Sequence, residues 1–143
     1  MARRAVILLA AALAAQQPDF EYLYRQALEQ REQTLGKDAA KTRESARDLG
    51  LYLAARGEYA RAEAYREAAV ELADTAAAAT VLHNWAVALE ERDAGVAEQV
   101  YRKALAIRLK ALPALDLELA TTRLNLAALL IAPLSGHMAS YFA

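Results

Sequence analysis

An all-α fold, a short solenoid of antiparallel helix pairs, is what this sequence predicts, and three observations carry the expectation. Ala, Leu, Glu and Arg dominate the composition, and all four are good helix formers. The 143 residues include only five Gly and three Pro, and these punctuate segments in which apolar residues recur with helical spacing. Those segments also resemble one another at long separations, the mark of a repeat array. No run with the period of two that a β-strand needs stands out.

Taken in order, the chain opens on Met1-Ala2-Arg3-Arg4, followed by an uncharged apolar run from Ala5 to Ala15. Small residues at Ala12 and Ala14 offer a cleavage site after Ala14. Basic start, short apolar core and small-residue exit predict a secretory signal peptide over 1–14, and the run is too short to span a bilayer comfortably. The expected location is then secreted or periplasmic, with no stable membrane insertion after processing. The competing reading is a structural first helix packed on Tyr22–Gln33, which would leave the chain cytoplasmic.

The helical repeat region is expected over 19–131. Glu21–Leu28 aligns with Glu63–Val70 at a step of 42 residues and again with Glu98–Leu105 at a step of 35. The other half-unit, Leu35–Leu49, matches Leu112–Leu126 at a step of 77, which is the two steps together. Differences in spacing fall around Ala73-Asp74-Thr75 and Asp93-Ala94-Gly95, where a helical repeat tolerates them. Asp38 is expected to cap a helix ending at Arg56, with Gly57 as its stop. Asp116 is expected to cap the helix to Ile131, and Pro133 to end it. Residues 132–143 then form an irregular tail.

At Gly57-Glu58-Tyr59-Ala60-Arg61-Ala62-Glu63 the chain resembles the tetratricopeptide repeat family, in its longer-repeat branch typified by kinesin light chain. Leu35-Gly36-Lys37-Asp38, Leu23-Tyr24-Arg25-Gln26-Ala27-Leu28, Val100-Tyr101-Arg102-Lys103-Ala104-Leu105 and Leu124-Asn125-Leu126-Ala127 carry the same resemblance. Arg47-Asp48 departs from the Asn-Asn of that pattern, and the turn near Gly95 lacks its Gly-x-Tyr. Gly50, Ala86 and Ala127 occupy one position in successive first helices, answered by Ala62 and Ala97 in the second helices. Small residues there predict close helix approach. Trp85 reads as a packing residue.

The resemblance implies a concave groove, lined by the first helix of each unit, that holds a peptide. The face opposite the packing side places Arg47, Asp48 and Leu51 on one helix, His83, Asn84 and Val87 on the next, and Leu124 and Asn125 on the third, all at helical spacing. By resemblance, Asn84 and Asn125 bond a peptide backbone, while Arg47 and His83 add selectivity. An amide suits a peptide group because it both donates and accepts.

Seventeen basic against eighteen acidic residues do not favour a nucleic-acid partner. Without Cys there is neither a disulfide nor a thiolate nucleophile. The two histidines, His83 and His137, lack metal-ligand spacing, and no phosphate loop or nucleophile elbow is present. A non-catalytic protein- or peptide-binding scaffold without cofactor or metal is therefore expected. The alternatives are a module that forms a homodimer through the Leu-rich 116–131 edge, and a fragment of a larger multidomain regulator.

Overall fold

The computed structural model describes residues 19–141. The predicted signal peptide over 1–14 lies outside the described residues. Helices form α1 (Phe20–Leu35), α2 (Ala40–Ala55), α3 (Tyr59–Ala62), α4 (Arg66–Leu72), α5 (Ala76–Leu89), α6 (Ala94–Ala111) and α7 (Leu117–Tyr141). A 3-10 turn at Glu63–Tyr65 joins α3 to α4, so the two are parts of one locally tightened rod. Among the described residues there is no strand, and the all-helical expectation holds.

Short polar side chains start most of these helices. Asp19 accepts from the Tyr22 N–H at 3.1 Å, Thr75 from Ala78 at 3.1 Å and Asp93 from Val96 at 3.0 Å. Asp116 caps α7 as its position predicts, accepting from Glu118 N–H at 2.8 Å. Asp38 does not cap α2. Ala39 takes that place without a side-chain bond, because Gly36–Ala39 closes into a turn and Asp38 falls one residue early. Pro133 does not end α7, which continues to Tyr141, so the irregular tail expected from residue 132 is helical as far as that residue. A proline deletes one backbone bond, but its fixed φ is already close to helical.

The Gly57 turn forms as its sequence suggests. Gly57 sits at φ +76°, its N–H reaches Ala54 O at 2.9 Å, and the Glu58 N–H reaches Leu53 O at 3.0 Å. This paired closure satisfies two end carbonyls of α2 and needs a left-handed residue, which glycine supplies without steric cost.

Packing follows the chain and then crosses it. α1 lies on α2, α2 on the α3–α4 rod, α5 on α6 most extensively and α6 on α7, while α2 also meets α5 and α4 meets α6. One apolar cluster runs from Leu28 on α1 to Leu126 on α7. At Gly50 two backbones approach closely. A Cβ there would lie 2.8 Å from Tyr65 Cβ and 3.2 Å from its carbonyl oxygen. The absent side chain is thus what lets α2 lie on the 3-10 turn. Trp85 is fully buried and stacks on Tyr59, ring centres 6.4 Å apart, as a packing residue should.

Candidate functional site

Two parts of the predicted groove face differ in what the fold does with them. The first lies between α1, α2 and α5. Tyr24, Asp48, Leu51, Tyr52, Ala78 and Val81 line an open concavity of about 270 Å³. Tyr24 and Tyr52 meet at 5.2 Å and form its aromatic wall. Asp48 is the charged group of the lining, and Arg47 pairs with it at 2.8 Å. The same guanidinium reaches Leu72 O at 3.4 Å, so Arg47 ties α2 to the end of α4.

The second part lies where α5, α6 and α7 meet, and there the polar side chains turn inward. His83 is only 8% exposed. Its Nδ1 lies 3.1 Å from Thr122 Oγ1 and its Nε2 lies 3.4 Å from Asn125 Nδ2. Asn125 Nδ2 also donates to Tyr101 Oη at 3.4 Å, and Tyr101 donates to Glu90. The Tyr101 ring stands edge-on to the imidazole at 5.4 Å. Arg108, 3% exposed, donates to Thr122, to Glu118 O at 3.0 Å and to Thr80 Oγ1 at 3.2 Å. Its Nε is buried without a partner.

The surrounding donors favour one imidazole tautomer. Thr122 Oγ1 gives its proton to Glu118 O at 3.1 Å and accepts from Arg108. His83 Nδ1 is therefore the donor toward Thr122, and Nε2 accepts from Asn125. Burial and the Arg108 guanidinium hold the His83 pKa below its ordinary 6.5, although Glu90 and Glu118 pull the other way. Burial, aided by the bond to Glu90, raises the Tyr101 pKa well above the ordinary phenol range.

This corrects the groove expectation for two residues. His83 is buried and both ring nitrogens have partners within the fold, so it is not presented to a peptide. Asn125 is half-buried, with its amide N–H₂ directed at His83 and Tyr101. A stripe at i, i+3, i+4, i+7 is wide, and its edge nearest the next helix turns into the seam. Asn84, Val87 and Leu124 do stay open, Val87 at 46% and Leu124 at 69% exposure.

Sequence reasoning missed Arg108, Tyr101 and Thr122. A signal was present. Ala97, Val100, Tyr101, Ala104 and Arg108 form one apolar stripe on α6 that ends in a cation, and Leu119, Thr122 and Leu126 do the same on α7 with a hydroxyl. A polar group on a core stripe requires a buried partner. Among the described residues no group of three His, Asp or Glu side chains could hold a metal ion, and no helix is long and apolar enough to cross a membrane. Compared with known proteins, the chain matches no protein-family model and no curated sequence.

Proposed function

We propose that this chain is a non-catalytic scaffold of the tetratricopeptide-repeat kind, a short α-solenoid that binds a protein or peptide on the face shared by α2, α5 and α7. Contacts of α2 with α5 and of α4 with α6 support the solenoid reading, since they set first helices beside first helices and second beside second. The observation that carries the binding reading is the concavity of Tyr24, Asp48, Leu51, Tyr52 and Val81. It combines an apolar floor, an aromatic wall and one carboxylate. Such a mixture suits a side chain of an extended or helical segment. Asn84, Val87 and Leu124 continue the face toward α7.

The test is selection of peptides from a display library against the purified full chain. Selected peptides lose binding to Leu51→Glu and Asn84→Ala but keep it to Arg102→Glu, an exposed position on α6. Peptides indifferent to all three changes would refute the groove.

A second reading, self-association through α7, is favoured by Leu117, Leu124 and Leu130, all exposed on that helix. It predicts a mass in sedimentation that rises with concentration and returns to the monomer in Leu124→Glu. The basic start and apolar run of residues 1–14 support a secreted or periplasmic location. Mass spectrometry of the protein recovered from each compartment, read for cleavage after Ala14, checks it.

A further inference from the structure

We propose that the seam of α5, α6 and α7 is a pH-sensitive latch, in which protonation of His83 undocks α7 from the rest of the helices. The inference is independent of any groove ligand. It begins with how α7 is held. Among its described side chains up to residue 132, Leu119 and Leu126 are the buried apolar residues, with Leu129 half-buried beside them, while Leu117 and Leu124 face outward. Much of the remaining hold is polar. Asn125 and Thr122 reach His83, Thr122 and the Glu118 carbonyl receive Arg108, and Asn125 reaches Tyr101.

One of these bonds requires a neutral imidazole, that from Asn125 to Nε2. A second ring proton would sit on Nε2, where Asn125 already points an N–H. The bond becomes a clash of two donors, relieved only if the amide turns over and abandons Tyr101. The added charge also lies close to Arg108, whose guanidinium shares Thr122 with the ring. The ionisable groups around the imidazole are Glu90 from α5, Tyr101 and Arg108 from α6, and Glu118 from α7. Neither acid is free to compensate. Glu90 accepts from Tyr101, and Glu118 lies 3.6 Å from Arg108. Acid therefore adds a buried cation beside Arg108 that gains an acceptor only at the cost of the bond from Asn125 to Tyr101, and separating α7 is the route by which the ring reaches water.

Sign and size follow from linkage. A histidine whose folded pKa is depressed stabilises the docked state fully above its unfolded value of 6.5, and that stability is lost as pH falls from 6.5 toward the folded pKa. The docking constant falls about tenfold for each pH unit between those two values.

Hydrogen exchange of the full chain, expressed as protection factors at about pH 7.5 and about pH 5, tests the latch. Amides of α7 up to Ile131 lose protection at the lower pH, while those of α2 keep theirs. Histidine NMR on the wild type finds the His83 ring titrating below 6.5 together with the shifts of Thr122 and Asn125. Asn125→Asp places an acceptor at Nε2 and moves undocking to lower pH, whereas His83→Gln removes the pH dependence of α7 protection. Equal protection of α7 at both pH values overturns the proposal. So does an unchanged pH dependence in both variants, and the wild-type measurements decide the matter if either variant fails to fold.

Discussion

The contact of α2 with the α3–α4 rod and the seam of α5, α6 and α7 solve the same problem by different means. In the first, side chains are removed until backbones meet. Gly50 lies under Tyr65, Ala69 is close by, and buried Ala62 continues the small-residue pattern. In the second, polar side chains are buried between the helices and must satisfy one another. The close contact depends on shape and is indifferent to pH. The polar seam depends on a particular set of protons. Similar sequence repeats thus carry joints with different sensitivities, which a comparison of helix positions alone does not reveal.

Breaking each joint separately sharpens the contrast. Gly50→Val has the largest expected effect, since its Cβ would overlap Tyr65 backbone and side-chain atoms. A loss of about 2–3 kcal/mol, equal at acid and neutral pH, is expected from urea denaturation. Thr122→Val keeps the volume but removes the hydroxyl that pairs with Arg108 and His83. It costs about 1–3 kcal/mol at neutral pH, because two buried donors lose their acceptor. The difference between that variant and the wild type shrinks as pH falls below 6.5, where His83 protonation has already weakened the seam. Thermal melts across the pH series read this directly. Arg61→Ala, which removes the surface pairs to Glu21 and Glu58, is expected to leave the midpoint almost unmoved, and added salt to leave it so. A large effect there would show that α1 is held by charge rather than by packing.

Much of the helix layout is written locally. Asp19, Thr75, Asp93 and Asp116 cap the helices that follow them, and Gly57 closes α2, because these devices involve residues only a few positions apart. Pro133 and Asp38 mislead for the same reason, since each states a preference that its neighbours override. The open part of the proposed groove face, with Asp48, Leu51, Asn84, Val87 and Leu124, also follows from helical spacing. The seam does not. His83 and Thr122 are 39 positions apart, and whether a polar residue at the edge of a stripe meets solvent or another helix depends on how neighbouring units are set. Arg108 was legible as an anomaly on the α6 stripe, but its partners Thr80 and Thr122 emerge only once three helices are assembled.

Trp85 has a practical consequence beyond packing. It is the sole tryptophan of the chain, and its indole N–H is enclosed without a hydrogen-bond partner. With no dipolar partner, the ring is expected to emit at short wavelength in the folded protein. Because it stacks on Tyr59, its fluorescence reads the junction of α3 with α5. A red shift would signal water entering that junction, so one intrinsic chromophore follows the middle of the molecule without any added label.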